Sequence, residues 1–516
     1  MPGAPLPRPL AAELTADLAG RGAAPVPVVA PFTGEVLHEI PHATPAEVRD
    51  AARRVRAAQR AWGAVGDAHR RTVLLRAHDL LLERRRLLLD AVQTETGKTR
   101  GQAFEELASA ASAIRYAALT ARRVLAGGRR RGGIPLVLCA RVRRRPKGLV
   151  GVITPWNYPL ALAVMDVAPA LATGNGVLQK ADDQGALSVL LARRAFVDAG
   201  LPPALWAVVA GPGAEIGSAL IDEVDHVCFT GSTATGREVA RRAAGRLIGA
   251  SLELGGKNPL VVLDGAEPLR AAADAAYACF SSAGQLCVSM ERVYVERGAA
   301  ERFVPAFAER VRGLALGTSF DFAPDVGSLA TPAQLERFTA HLDDAVARGA
   351  TVLAGGRARP DLGPLVVEPT VLTGVTDEMA CAGEETFGPL VAVAVVEDAE
   401  EAIAAANDSP FGLNAAVLAG SRRRARAVAA RLRAGSVNVG EGYRASFGSI
   451  DAPMGGVRLS GLGRRNGVEG LERFTESTTI GETTGLVRLP RTGREAERLA
   501  GPILVVLRVL RVLRRR

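Results

Sequence analysis

The hydrophobic positions change rhythm twice along this chain, and each change marks a new part. From Pro45 to Leu125, leucine, alanine and valine recur at helical spacing among arginines, which predicts three helices over residues 45–65, 68–93 and 102–125. The first opens on Thr44-Pro45-Ala46-Glu47, where a threonine cap, a proline at the first helical position and a glutamate three residues on form a capping box. Ahead of it, Pro31-Phe32-Thr33-Gly34-Glu35 reads as a turn between two short extended pieces. Glycines and arginines at 127–133 then break the helical rhythm, and residues 134–145 alternate apolar with basic side chains, as an extended arm does.

From Leu149 short apolar runs alternate with helical stretches: strands over 150–154, 177–180, 206–209 and 224–230, with helices over 160–172 and 186–199. A second layer follows, with strands over 260–263, 292–295, 390–396 and 435–439 and helices over 267–281, 299–314, 332–348, 399–407 and 421–433. Strands alternating with helices predict an α/β fold of parallel sheets covered on both faces, with ligands at the carboxyl ends of the strands. At Phe229-Thr230-Gly231-Ser232-Thr233 a strand ends in a small-residue turn that opens a helix, and free N–H groups there suit a pyrophosphate. Gly211 to Gly217 comes within one residue of a dinucleotide fingerprint and reads as a plain turn. After Gly501 the run Ile503–Leu507, interrupted beyond it by Arg508 and Arg511, is shorter than the about 20 apolar residues of a spanning helix. It is expected to pack on its own subunit, with loose membrane-surface association as the alternative.

Composition narrows the function. A chain of 516 residues, 48% hydrophobic and 23% charged, has room for two or three domains. The net charge of +10 invites an anionic partner, but the basic residues are scattered and aromatics are only 4%, which argues against nucleic acid. All but four of the 64 basic residues are arginine, so Lys98, Lys147, Lys180 and Lys257 stand where a compact ammonium is wanted. Five scattered cysteines point to a reducing cytoplasm, and six unclustered histidines to no metal site. Residues 1–30 lack the pattern of a signal peptide, and no stable membrane insertion is expected.

The chemistry centres on Phe280-Ser281-Ser282-Ala283-Gly284-Gln285-Leu286-Cys287, a cysteine on tight, approachable backbone. Upstream, Glu253 sits in an apolar run released by Gly255 and Gly256, and Asn157 lies on the proline-bracketed loop Thr154-Pro155-Trp156-Asn157-Tyr158-Pro159. Thiolate, carboxylate and amide are the parts needed for acyl chemistry on a carbonyl. Cys287 would add to an aldehyde, Asn157 and the Cys287 N–H would steady the oxyanion, hydride would leave to a nicotinamide, and Glu253 would activate water. Each residue also has a plain reading: Cys287 as a buried free thiol, Asn157 as a cap for its loop, and Glu253 as the partner of Lys257.

These three stretches, in this order and at these separations, resemble the aldehyde dehydrogenase superfamily from about Pro31 to about Thr479. The resemblance implies a Rossmann-type NAD(P)-binding domain over 1–126 and 147–254 and an α/β catalytic domain over 255–474. It also implies a β oligomerisation arm over 127–146 and 475–490 and a homodimer or homotetramer, leaving 491–516 as a basic amphipathic tail. It assigns Cys287, Glu253 and Asn157 the roles given above. For the cofactor it implies Thr154, Pro155 and Trp156 on the first loop, Gly231 and Ser232 at the small-residue turn, and Leu254. In Cys381-Ala382-Gly383-Glu384-Glu385-Thr386-Phe387-Gly388-Pro389, Glu385 matches the acid that holds the nicotinamide ribose and Phe387 the ring near the nicotinamide. Lys180 matches the lysine that reaches the adenosine ribose. It is followed here by Ala181-Asp182-Asp183, and a carboxylate at Asp183 favours a 2′-hydroxyl over a 2′-phosphate, so NAD and NADP both stay open.

Arg145-Pro146-Lys147-Gly148, Lys180 with Asp182 and Gln184, Phe411-Gly412-Leu413-Asn414-Ala415 and Asp451-Ala452-Pro453-Met454-Gly455-Gly456 are similar to the actinobacterial succinate-semialdehyde dehydrogenase type. That likeness implies succinate semialdehyde as the small-molecule substrate, with Arg444 expected near the entrance as a partner for its carboxylate. Other enzymes for this aldehyde carry an arginine where this chain has Met165-Asp166, so an uncharged aldehyde is the alternative. A non-catalytic protein on the same fold is a second alternative. Transfer of the acyl group to coenzyme A would not need Glu253.

Overall fold

The computed structural model describes residues 5–134 and 137–513. A six-stranded sheet runs in the order Gly461–Leu462, Gly249–Glu253, His226–Thr230, Leu149–Ile153, Gly176–Lys180, Trp206–Val209, parallel except for the first, an edge strand. Its central strands are apolar and buried on both faces because helices cover both. Helices Asp67–Glu83, Arg100–Leu125, Pro159–Ala172 and Ala186–Asp198 pack on one face, and Pro45–Ala64, Ser218–Glu223 and Thr233–Gly245 on the other. The chain leaves strand Leu149–Ile153 toward one edge and later fills the other, so a crevice opens at the carboxyl ends of Leu149–Ile153 and His226–Thr230. Residues 154–157 and 231–232 follow those two strands.

The second sheet has seven strands, in the order Thr351–Ala354, Thr370–Thr373, Leu390–Val396, Met290–Glu296, Asn258–Val262, Asn414–Leu418, Ser436–Val439. Only Thr351–Ala354 is antiparallel. Phe280, Phe303, Phe307 and Phe338 fill the core under helices Pro268–Phe280, Arg297–Arg312 and Pro332–Ala347. Helices Ala399–Asn407 and Arg422–Ala429 cover the other face. Strand Gly249–Glu253 ends four residues before strand Asn258–Val262 begins, so the chain hands one sheet to the other at Glu253.

A third sheet pairs Leu138–Pro146 with Gly128–Arg131 on one side and Thr475–Thr483 on the other, all antiparallel. The expected arm is therefore extended, but residues 128–131 are a strand and not merely a break. The structure corrects two further expectations. Residues 68–93 form two helices, Asp67–Glu83 and Arg85–Thr96, which meet at Arg84 with φ −89° and ψ 12°. Leucines at 80–82 and 87–89 fall on the same broad arc of about 220° when continued as one helix, so the periodicity carries no sign of the bend. The tail does not pack on its own chain: Gly493–Val512 is one helix with no buried residue. The capping box at Thr44 is present, with Glu47 N–H donating to Thr44 Oγ1 at 3.3 Å and Thr44 N–H donating to Glu47 Oε2 at 2.9 Å.

The chain around Gly455 is held tightly against Glu253. A Cβ built on Gly435 would run into the Gly455 carbonyl oxygen, and one built on Gly455 would lie 3.0 Å from Glu253 Oε1. Gly435→Ala is therefore expected to push Gly455 toward Glu253, costing about 1–3 kcal/mol of stability and lowering turnover together. Thermal unfolding and steady-state kinetics on the same preparation test this, and an unchanged kcat would disprove the coupling.

Candidate active site

Cys287 stands on a loop that strain and hydrogen bonds hold in place. After helix Pro268–Phe280, Ser282 and Ala283 take left-handed backbone (φ 53° and 54°) and Gly284 follows at φ 71°. Two consecutive non-glycine residues in this region persist only where the surroundings impose them. A Cβ on Gly284 would strike the Gly388 carbonyl, so the glycine brings the cysteine loop against the loop of Phe387. Asn258 Nδ2 donates to the carbonyls of Cys287 (2.8 Å) and Ser289 (2.7 Å).

Asn157 hangs on a buried cluster that the sequence did not single out as part of the site. Lys98 Nζ donates to the Asn157 carbonyl and to Glu106 Oε2, both at 2.6 Å, and lies 3.5 Å from the centre of the Tyr158 ring. Glu106 Oε1 in turn accepts from Leu160 N–H (2.7 Å) and Ala161 N–H (3.0 Å), the start of helix Pro159–Ala172, whose positive end favours a carboxylate. The Asn157 amide donates one hydrogen to the Gln285 carbonyl at 3.0 Å, which leaves its second for an oxyanion.

Glu253 ends its strand inside the protein, and burial raises its pKa to about 7. Arg465, Arg473 and Arg464 pull it down, and Asp166 pushes it up. Arg465 is buried and bidentate on Asp166, with Nε to Oδ1 at 3.0 Å and Nη2 to Oδ2 at 2.7 Å, and it also donates to Thr230 Oγ1 at 3.0 Å. Arg473 Nη2 reaches Asp166 Oδ1 at 2.5 Å. Burial alone would raise the Asp166 carboxyl, but the two guanidiniums outweigh it and keep it below the usual carboxylate range. Lys257 is not the partner of Glu253: its Nζ donates to Glu291 Oε2 at 2.5 Å. Glu291 also accepts from the N–H groups of Thr386 (2.9 Å) and Phe387 (3.0 Å), so this pair holds the loop of Glu385 and Phe387.

These elements meet at a cavity of about 200 Å³ lined by Asn157, Glu253 and Cys287 and by Pro155, Trp156, Gly231, Ser232, Leu254, Glu385 and Phe387. Thr154, Lys180 and Asp183 lie off it. Thr154 Oγ1 turns into the sheet to accept from Gln179 Nε2 at 3.0 Å, and Lys180 ends the neighbouring strand. Asp183 lies beyond that strand and meets His42 Nε2 at 2.8 Å through Oδ2, while its Oδ1 has no partner. The cavity fits a nicotinamide nucleotide. Glu385 Oε1 accepts from Gly256 N–H at 2.8 Å, and a Cβ on Gly255 would collide with Glu385 Oε2, so a bare backbone lets this carboxylate reach the cavity wall. Trp156 and Phe387 meet edge to face at 5.7 Å, and Ser232 caps the helix beginning at Thr233. Cys287 is half-buried on this cavity, whereas Cys228, Cys279 and Cys381 are buried elsewhere and Cys139 is exposed. Burial pushes its thiol up to about 12, with Glu253 and Glu385 adding to the rise.

On its other side Cys287 packs against an apolar cluster that includes Tyr158, Leu162, Met165, Leu286, Val288 and Tyr443. Tyr277 and Tyr443 stack at 5.9 Å, and both hydroxyls donate to Glu105. Arg444 opens a short helix, Arg444–Gly448, instead of lying in a loop. Its guanidinium sits 4.1 Å over the Tyr277 ring and 3.7 Å from Glu441, already partnered, and Arg444 is not among the residues lining the cavity.

A model of the aldehyde dehydrogenase family matches residues 19–480. The chain is 49% identical over 464 residues to a protein of Mycolicibacterium smegmatis provisionally named succinate-semialdehyde dehydrogenase, NADP(+), covering 90% of this chain and 89% of that one. It is 38% identical over 470 residues to betaine aldehyde dehydrogenase of Cereibacter sphaeroides, covering 90% and 95%. Among solved structures, the NAD-dependent aldehyde dehydrogenase of Sinorhizobium meliloti superposes with a TM-score of 0.87 at 31% identity, covering 92% of this chain and 94% of that one. Among the described residues no helix is long and apolar enough to cross a membrane, and no cluster of ligating side chains could hold a metal.

A carboxylate can act as a base only when deprotonated, so with the Glu253 pKa at about 7 any contribution it makes as a base is expected to be lost as pH falls through neutrality. Arg465→Met removes the cation that pulls this pKa down most, so the acidic limb of the kcat profile should move to higher pH. Superimposable pH profiles for the two proteins would disprove the link between Arg465 and Glu253.

Proposed function

The chain belongs to the aldehyde dehydrogenase family, and on that premise we propose that it oxidises succinate semialdehyde to succinate, with Cys287 as nucleophile, Glu253 as base and Asn157 as oxyanion donor. The convergence of these three side chains on one cavity carries the assignment of roles. The Cys287 thiol loses its proton and its sulfur attacks the aldehyde carbon, giving a thiohemiacetal. Its oxygen draws on the free hydrogen of the Asn157 amide and on the Cys287 N–H. NAD or NADP, when bound, supplies the hydride acceptor that turns this adduct into a thioester. Glu253 then takes a proton from water, the hydroxide adds to the thioester, and the acid leaves with the Cys287 sulfur restored. Glu385 and Phe387 would hold the nicotinamide ribose and ring, and Gly231 and Ser232 the pyrophosphate at the start of helix Thr233–Gly245.

The substrate rests on the 49% identity to relatives provisionally named for succinate semialdehyde. To pair with the substrate carboxylate, Arg444 would have to give up Glu441. The apolar lining beside Cys287 favours a second reading, an uncharged aldehyde. The relatives' NADP(+) and the carboxylate of Asp183 pull the cofactor preference in opposite directions, and one oxygen of Asp183 is already engaged by His42 Nε2. Five free cysteines suit a reducing cytoplasm, and the exposed Thr475–Thr483 edge of the third sheet suits a homo-oligomer.

Cys287→Ala is expected to lower turnover about a thousandfold or more, while Cys279→Ala keeps it. Glu253→Gln should leave a burst of reduced cofactor followed by steady turnover about a hundredfold slower, and equal loss of both phases would assign Glu253 to thiol activation instead.

The substrate is tested by comparing kcat/KM for succinate semialdehyde with that for butyraldehyde, which has the same carbon count and no charge. One charge-assisted contact should give about a tenfold preference or more. Equal values would sink the semialdehyde assignment while leaving the oxidation intact.

A further inference from the structure

Helix Gly493–Val512 lies beyond residue 480, where the family match ends, and no residue on it is buried. At 100° per residue, Leu499, Ile503, Val506, Leu507, Val509 and Leu510 fall on one arc of about 160°. Arg494, Arg498, Arg508 and Arg511 occupy the rest of the wheel, with Leu504, Val505 and Val512 among them. Of these, Val506, Leu507 and Val509 stand open to water at 40%, 45% and 48% exposure, and Leu499, Ile503 and Leu510 are half-buried. From Arg498 to Arg516 the sequence holds six arginines and no acid. The two acids of the helix, Glu495 and Glu497, are confined to its first turns.

We propose that this helix lies flat on an anionic phospholipid surface and brings the enzyme to the membrane. Two observations favour a bilayer over a protein partner. From Leu499 onward the apolar arc is aliphatic, with no aromatic or polar side chain to fit one particular pocket. The charge flanking it is of one sign, on long stems that reach phosphates while their methylenes stay with the apolar arc. Arginines at 508 and 511 keep the apolar runs too short to span a bilayer, so the helix settles at the interface. The proposal is independent of the substrate assignment, since the helix lies outside the site.

The test is co-sedimentation of the full-length protein with vesicles of phosphatidylglycerol and phosphatidylcholine, or of phosphatidylcholine alone, at low and high salt. Binding is expected to be at least about tenfold tighter to the anionic vesicles and to weaken with salt. Val506→Asp with Leu510→Asp should abolish it, as should Arg508→Glu with Arg511→Glu, while aldehyde turnover in solution stays unchanged and reports an intact fold. Equal binding to both vesicle types, no binding to either, or variants that bind as the parent does would overturn the proposal. So would loss of a dimer or tetramer in the Val506 and Leu510 variant without any vesicle binding by the parent, which would give the face to a second copy of the chain.

Discussion

The site depends most on the buried carboxylate of Asp166, clamped between Arg465 and Arg473. Asp166 belongs to helix Pro159–Ala172, which starts at the Asn157 loop. Both arginines belong to the chain returning from the second sheet, on either side of helix Gly467–Glu472. The pair therefore pins that return against the first sheet, where Gly461 pairs with Glu253. Removing one member of such a pair strands a buried charge and costs about 3–5 kcal/mol, so the return cannot loosen cheaply. The same guanidinium that closes the fold also stabilises the charged form of Glu253.

Each wall of the site is hung on a buried ion pair in the same way. Lys98 with Glu106 holds the Asn157 loop, Lys257 with Glu291 holds the Phe387 loop, and Asp166 with its arginines backs Glu253. In a chain that otherwise uses arginine, two of these three pairs use lysine. Lys98 shows why: its ammonium reaches two oxygens and an aromatic face from one point, within space that a planar guanidinium would overfill. Such pairs add little net stability over apolar packing. What they supply here is position: the two lysine pairs also bind backbone groups of the loops they support, and Arg465 also binds Thr230 Oγ1 on the strand beside that of Glu253.

The parallel sheets, most helices and the three converging side chains were legible because each leaves a local mark: alternation of strand and helix, a capped start, or a glycine-flanked thiol. What was not legible lies in pairings across long sequence distance. Asp166 was noticed only as a departure from an expected arginine, and its partners stand 299 and 307 residues away. Strand Asn414–Leu418 was missed because its apolar run, Ala415 to Leu418, also fits a buried helix segment. The scarcity of lysine pointed to Lys98 and Lys257, but scarcity does not name a partner. Arg444 shows the converse error: the sequence offers the cation, and only the fold reveals that Glu441 and Tyr277 already occupy it.

The electrostatics of the cavity bear on the order in which its groups ionise. Glu253, Glu385 and Cys287 line one space of about 200 Å³, and burial raises all three, to about 7, about 8 and about 12. Near neutral pH these shifts favour a neutral Cys287 thiol and a protonated Glu385, with Glu253 divided between its two forms. Each negative charge placed there makes the next one harder, since Glu253 and Glu385 both add to the rise at Cys287. A positive charge entering the cavity would offset the Coulombic part of that rise, of which burial is the larger cause. An oxidised nicotinamide ring carries that charge. A cationic ring bound there would therefore lower the Cys287 thiol from the raised value that burial and the two carboxylates give it.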